Sequence, residues 1–241
     1  DDGIDAVELG AGDLLITANG DVTGNGVGIL GSISGSGIRA YNLGGSLTVD
    51  AMGHTAGYGV DSYGTDSGSG ISATNGVGAT DMTVTANTVT GNGRGIHAYN
   101  YGTGDTTVTT NGAVIGDDDG NGVGAGIFAR NDVTSGNMTV TAHADVTGGA
   151  GAITALNFGS GTTSVYSNGT MIGDADGNGG GSGIRAEGRS ADSQGVTVVA
   201  TGIGAERKPD ISLVSNRTTK VIADSNEFKL QANGSHAMPS A

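Results

Sequence analysis

The sequence predicts an all-β fold, a β-helix (β-solenoid) of about seven coils, because two short apolar motifs repeat along it in step. The first motif is isoleucine, one variable residue and alanine; the second is a branched residue followed two positions later by a small one. The second motif follows the first by 11 to 14 residues in every repeat, a register that a disordered chain has no reason to keep. The first motif begins at Ile4, Ile38, Ile71, Ile96, Ile127, Ile153 and Ile184, and the second at Ile16, Val49, Val84, Val108, Val140, Val165 and Val198.

The third repeat illustrates how three short strands build one coil. Ile71 and Ala73 of its first strand point inward, because side chains alternate between the two faces of a strand. The second strand covers 82–86 with Val84 inward, and a third strand is centred on Val89. Equivalent third strands are centred on Val22, Val114, Val146, Met171 and Ile203. The repeat therefore predicts roughly triangular coils that stack about 4.8 Å apart.

An asparagine column is expected at the corner that follows the first strand. Asparagine stands four positions after the first-line isoleucine in five successive repeats, and only the terminal repeats lack it. The column comprises Asn42, Asn75, Asn100, Asn131 and Asn157. Stacked side-chain amides can hydrogen-bond up and down such a column, so we expect a ladder here.

The charge distribution divides the chain into two parts and limits the classes of partner that we expect. Residues 1–204 hold 5 basic and 20 acidic side chains, whereas 205–241 hold 5 basic and 4 acidic ones. An acidic surface repels phosphate backbones, so nucleic acid is not expected as a partner. No run of about 20 apolar residues occurs, so no membrane-spanning helix is expected. We predict a β-helix repeat domain over 1–204 and a C-terminal cap or strand-donating tail over 205–241, with short strands at 211–213, 220–223 and 227–230.

The outward positions of the first strands carry the candidate binding residues. Three of the five arginines of 1–204 lie there together with aromatic side chains, a composition typical of recognition patches. These residues are Arg39, Tyr41, His97, Tyr99, Phe128, Arg130 and Arg185. The partner is expected to be a cell-surface glycan or protein, or copies of the chain itself. Lateral packing against a neighbouring rod or a loop would produce the same composition.

Two acidic loops at equivalent places in the repeat are the candidate metal sites. They place carboxylate and amide oxygens at alternate positions, as the first half of a calcium-binding EF-hand loop does. The candidate ligands are Asp117, Asp119 and Asn121 in the first loop and Asp174, Asp176 and Asn178 in the second. Phe128 and Arg185 occupy the place of the acid that closes an EF-hand loop, and solvated turns are also rich in Asp, Asn and Gly. Calcium is thus the one candidate cofactor, and none is required.

The outward face of the second strands carries threonine in pairs on three successive coils, at 83 and 85, 107 and 109, and 139 and 141. Regular threonine arrays are a feature of ice-binding solenoids, although threonine is also an ordinary strand residue for a solvent-exposed face. The sequence shows no nucleophile elbow or zinc motif, and its four histidines fall at unrelated repeat positions. We therefore expect no enzymatic activity.

The repeats resemble the passenger domains of bacterial autotransporter adhesins. The units Gly-Ile-x-Ala-x-Asn-x-Gly and Thr-Val-Thr-Ala carry the resemblance, as at 95–102 and 107–110, and it covers about 85% of the chain, 3–204. It implies a single-stranded right-handed parallel β-helix that is secreted or held at the bacterial cell surface and serves in adhesion. Residues 205–241 do not look like the translocator barrel of that family. A self-assembling filament or matrix subunit is the main alternative, and an ice-binding solenoid and a polysaccharide-active enzyme are minor ones.

Overall fold

A computed structural model describes residues 1–26, 35–59, 68–122, 124–175, 177, 181–201, 211–215, 217 and 219–223. Every regular element in these ranges is a β-strand, and every pairing between strands is parallel. The predicted all-β fold with parallel strands is therefore confirmed. Within the described ranges, no helix is long and apolar enough to cross a membrane.

Twenty strands follow one another along the chain. They are β1 Ile4–Glu8, β2 Leu14–Ala18, β3 Val22–Gly24, β4 Ile38–Ala51, β5 Thr55–Gly57, β6 Ile71–Ala86, β7 Val89–Gly91, β8 Ile96–Asn100, β9 Thr106–Thr110, β10 Val114–Gly116, β11 Ala125–Asn131, β12 Met138–Ala142, β13 Val146–Gly148, β14 Gly151–Asn157, β15 Thr162–Ser167, β16 Met171–Gly173, β17 Ser182–Gly188, β18 Gly195–Ala200, β19 Ile211–Ser215 and β20 Thr219–Ala223. Most repeats thus contribute two strands of five to seven residues and a third of three residues.

Each strand pairs with the corresponding strand of the neighbouring repeat, which produces a solenoid-like stack. The isoleucines of the first motif pair in register, as Ile96 does with Ile71 on one side and Ile127 on the other. The short third strands form a separate six-stranded sheet. The first and second strands belong to one 14-stranded sheet, because β4 and β6 run through the corner and carry both motifs.

The core is made of the two predicted motifs. The first-motif isoleucines and alanines from Ile38 to Ala186 are at most 1% exposed, and the second-motif valines from Val49 to Val198 are fully buried. In-register stacking places large residues on large ones and alanine on alanine along the interior. Each fully buried isoleucine or valine contributes about 1.5–3 kcal/mol relative to an exposed one.

A column of glycines ends the third strands, and close backbone contact explains it. A Cβ placed on any of these glycines would lie only 1.7–2.2 Å from a main-chain oxygen. The column comprises Gly24, Gly57, Gly91, Gly116, Gly148 and Gly173. Six of the 49 glycines are therefore required by a tight corner between the third strand and the next repeat.

The asparagine column is present and fully buried, but its hydrogen bonds differ from the expected amide ladder. Asn100 accepts the Gly102 N–H at 2.8 Å and donates to the Gly104 carbonyl and the Thr106 hydroxyl at 3.3 and 3.1 Å. The side-chain amides of Asn75, Asn131 and Asn157 likewise bond to main-chain groups. The ladder prediction was wrong: among the described residues these amides bond to main-chain groups of the corners and to Thr106, not to one another.

Two of the three strands predicted for the tail are confirmed. β19 pairs with β17 and places Ile211 beside Ile184, and β20 pairs with β18 and places Val221 beside Val198. Both columns of the repeat thus continue past the last motif that the sequence shows clearly. The predicted strand at 227–230 and the third strand centred on Ile203 lie outside the described residues. The division between 1–204 and 205–241 stays a prediction.

Candidate recognition face

The outward side chains of the first strands form two columns that run along the stack. All seven predicted binding residues lie in these columns. From β1 to β19, the first column reads Asp5, Arg39, Ser72, His97, Phe128, Thr154, Arg185, Ser212, and the second reads Val7, Tyr41, Thr74, Tyr99, Arg130, Leu156, Glu187, Val214. We call this surface the recognition face.

The face does not bring all seven predicted residues together. Arg39 forms a 2.8 Å salt bridge with Asp5 of the preceding repeat. Small side chains at Ser72 and Thr74 of β6 separate Arg39 and Tyr41 from the aromatic residues of β8. Arg39 and Tyr41 therefore stand apart from the remaining predicted residues.

Aromatic rings from β8 and β11 contact one another at the centre of the face. The His97 ring lies edge-on to Phe128 with 5.5 Å between ring centroids, and edge-on to Tyr99 at 6.2 Å. Tyr99 in turn stacks on Tyr101 at 4.1 Å. Such aromatic pairs contribute about 0.5–1.5 kcal/mol each beyond the area they bury. The central rings are therefore held in fixed positions.

Arginine side chains cover these rings. The Arg130 guanidinium lies between two rings, with its Cζ 4.8 Å from the Tyr99 centroid and 4.6 Å from the Phe158 centroid. Arg94 lies over Phe128 at 4.8 Å. A cation over an aromatic face gains about 0.5–1 kcal/mol at an exposed site and more where water is excluded. The rings thus orient the guanidinium planes.

Glu187 forms salt bridges with two arginines near the C-terminal end of the face. Its nearly buried carboxylate accepts a 2.6 Å hydrogen bond from Arg185 and a second, short one from Arg189. Burial would raise the pKa of Glu187, but the hydrogen bonds from Arg189 and Arg185 outweigh burial and lower it. The Cζ of Arg189 also lies 5.2 Å from the Phe158 ring centroid, so the two salt bridges of Glu187 adjoin the aromatic cluster.

Two rings of the cluster, His97 and Tyr99, are neutral near pH 7. Burial, assisted by the positive charge of Arg94, lowers the pKa of His97 to about 4. Burial and the hydrogen bond with Tyr101 raise the pKa of Tyr99 to about 12. Since both rings are uncharged, the charge at the centre of the face comes from the arginines.

Five members of the cluster were not predicted from the sequence: Arg94, Tyr101, Phe158, Glu187 and Arg189. Tyr101 and Phe158 directly follow the asparagine column, and Arg189 follows Gly188 at the same repeat position. That corner position was the signal that could have found three of them. With Arg94 and Arg189 included, all five arginines of 1–204 belong to this face.

The two acidic loops share one backbone geometry. Asp117 and Asp174 both have left-handed φ values, 62° and 64°, and their carbonyls accept the N–H three residues later. Both carboxylate oxygens of Asp117 lie 2.9 Å from the Gly122 N–H, so this side chain braces its own loop. Asp119 and Asn121 are exposed, while Asp176 and Asn178 lie outside the described residues. In the described ranges, no three acidic or histidine side chains are grouped to hold a metal.

The threonines of the second strands stack in register. Thr107 pairs with Thr83 on one side and with Thr139 on the other, which forms one column. Thr85, Thr109 and Thr141 form a second column beside it. Asp50, Tyr166 and Val199 interrupt the latter column in the adjoining repeats. The regular part of the array therefore spans three repeats.

The chain was compared with family models, curated proteins and solved structures, and none of them matches it. The class of protein therefore rests on the fold alone, a stack of parallel strands with an arginine-covered aromatic cluster on one face.

Proposed function

We propose that this chain is an extracellular bacterial surface protein, without enzymatic activity, that serves as an adhesive scaffold. The observation that carries the proposal is the concentration of all five arginines of 1–204 on one face of an otherwise acidic body. Arginine and aromatic side chains dominate the binding energy of protein interfaces, so their segregation marks the face as the surface of contact.

The scaffold in this proposal is a single-stranded right-handed β-helix of about seven coils. The succession of two longer strands and one short strand in each repeat supports three strands per coil. The pairing of every described first strand with the first strands of adjacent repeats supports a single continuous stack. Such a rod repeats its side chains at about 4.8 Å intervals, which suits an extended ligand.

Rigidity favours binding over other roles for the face. β8 pairs with β6 and β11, and β11 pairs with β8 and β14, so both edges of the central strands are occupied. The side chains are held by stacking and by Glu187, so little conformational entropy is lost when a partner binds.

A binding assay with matched variants tests the proposal. The full chain, immobilised on beads, is presented to epithelial or bacterial cells, and retained cells are counted. The double variant Tyr99→Ser with Arg130→Ser should retain at least tenfold fewer cells. Thr107→Ser with Thr139→Ser, two changes on the second-strand face, should leave retention unchanged. Equal retention by both double variants would remove the recognition face from the mechanism.

Self-association is a second candidate, and the first repeat carries it. β1 and β2 each pair only with β4, so their outer edges have no partner in the described chain. Val7 and Leu15 are 48% and 67% exposed, and 1–26 hold six acidic side chains and no basic one. The tail over 205–241 holds five basic and four acidic side chains, so in a second copy it would meet this acidic end without charge repulsion. Light scattering without any ligand distinguishes the candidates: a mass that grows with concentration supports self-association, and a constant monomer mass supports the adhesive scaffold.

A further inference from the structure

Two arginines of the recognition face lie over aromatic rings and have no acidic partner among the residues that the structure describes. Arg94 lies over Phe128, and Arg130 lies between Tyr99 and Phe158. None of the three salt bridges in the described part of the chain includes either arginine. A stacked guanidinium keeps its N–H donors in the plane at its rim, where they can bind two oxygens side by side.

The same face already contains a stacked arginine that binds a carboxylate. Arg189 lies over the Phe158 ring while its Nε donates to Glu187. Arg130 lies over the same ring, at 4.6 Å, but no carboxylate of the described residues forms a salt bridge with it. Arg189 and Glu187 thus show that a guanidinium over this ring can bind a carboxylate.

We infer that Arg94 and Arg130 bind a saccharide that carries isolated carboxylate groups, such as a uronate residue. The inference rests on the proposed adhesive function and names the ligand class of that same face. The guanidinium groups bind the carboxylate and neighbouring hydroxyl oxygens. Tyr101, which is 37% exposed and stacked on Tyr99 at 4.1 Å, offers an aromatic surface to the C–H groups of the sugar ring.

The strand pairing favours a saccharide over a peptide. Extended peptides commonly bind by adding a strand to an exposed sheet edge. The central strands of the face have both edges paired, so no main-chain donors or acceptors are left for a peptide to use. Binding must therefore be made through side chains alone, and planar donors with adjacent rings suit a sugar.

The charge balance favours isolated carboxylates over a dense polyanion. The chain has a net charge of −14, and residues 1–204 hold 20 acidic against 5 basic side chains. A sulfated polymer that extends beyond the arginine cluster meets this negative surface and is repelled. The charge of Asp132 acts on Tyr99, so this carboxylate lies within electrostatic reach of the cluster.

Titration of the full chain with small saccharides tests the inference. The chain has no tryptophan, so binding can be followed by tyrosine fluorescence, to which Tyr99 and Tyr101 contribute as two of six tyrosines. Methyl glucuronide should bind at least tenfold more tightly than methyl glucoside. Arg130→Lys, which keeps the charge and removes the planar donor pair, should weaken glucuronide binding at least fivefold. Arg217→Gln in the tail is the control and should bind like the parent chain.

Three further measurements give distinct answers. Asp132→Asn should tighten glucuronide binding two- to fivefold, since it removes a competing negative charge. Tighter binding of a heparin tetrasaccharide than of methyl glucuronide would overturn the preference for isolated carboxylates. Equal binding of N-acetylglutamate amide would overturn the saccharide assignment. Loss of cell retention in the face variants without any glucuronide binding would refute this inference and leave the proposed adhesive function standing.

Discussion

Removal of two equivalent asparagine side chains should have very different effects on stability. Asn42 and Asn100 occupy the same corner position and both are fully buried. Neither polar atom of the Asn42 amide has a hydrogen-bond partner, whereas Asn100 makes three bonds at 2.8–3.3 Å. Substitution of each by alanine therefore removes a similar volume but a different set of hydrogen bonds.

The structure sets the size of the difference. A hydrogen bond contributes about 0.5–1.5 kcal/mol net, and a buried group left unpaired costs about 1–3 kcal/mol. Asn100→Ala breaks three bonds and leaves the buried Gly102 N–H without its acceptor, so we expect a loss of about 2–4 kcal/mol. Asn42→Ala removes two unpaired polar atoms, which offsets the lost packing, so its effect should lie within about 1 kcal/mol of zero.

Equilibrium unfolding in urea, followed by circular dichroism, measures both changes. The dependence of the unfolding free energy on urea must be the same in all variants, because stacked repeats can unfold in parts. Asn157→Ala is a replicate in a distant repeat, since Asn157 also accepts one N–H and donates to two carbonyls. Equal losses for Asn42→Ala and Asn100→Ala would show that volume, not hydrogen bonding, determines the role of the column.

Three other changes test separate features. Gly116→Ala should cost at least about 2 kcal/mol in urea unfolding, because its Cβ would lie 2.0 Å from a main-chain oxygen, while Gly20→Ala, with nothing within 4 Å, should be neutral or stabilising. His97 has a folded pKa of about 4 against about 6.5 unfolded, so the unfolded state binds the extra proton between these values and stability falls as pH drops from 6.5 to 4. The parent should lose about 1–3 kcal/mol more than His97→Gln over that range, and an equal loss would contradict a neutral His97. Asp117→Ala should lower the free energy of unfolding by about 1–2 kcal/mol, and Asp117→Asn should lower it by less, because Asn tolerates the left-handed φ and still accepts the Gly122 N–H. If calcium raises the melting temperature of the parent but of neither variant, Asp117 is instead a metal ligand.

The repeat made the core predictable residue by residue. An isoleucine and an alanine two positions apart can share one buried face only on a strand, and the nearly fixed offset of 11 to 14 residues between the two motifs lets each pair in register with its counterpart in the next repeat. The glycine column was not predicted, because its cause is the approach of the main chain of the next repeat rather than any local preference. The asparagine column was found, but the identity of its hydrogen-bond partners depends on how each corner turns.

The candidate site was partly predictable for the same reason. Alternation placed Arg130 and Tyr99 on the outward side, and the register of β8 and β11 makes them neighbours. Arg94 and Phe158 lie outside the strand alternation that the prediction used, so their contacts with Phe128 and Arg130 emerge only from side-chain geometry across repeats.

The amino-acid sequence by itself determined the parallel all-β architecture, the inward residues and the two outward columns, because strand alternation and repeat spacing are local properties. Only the tertiary structure decided which outward residues touch. Arg39 is neutralised by Asp5 and Arg185 by Glu187, whereas Arg94 and Arg130 stack on rings without a salt bridge in the described chain. Except for Arg185 and Glu187, which lie two positions apart on β17, these pairs join residues 28 to 34 positions apart in neighbouring repeats, and the position of a residue within its repeat does not determine the distance between their side chains.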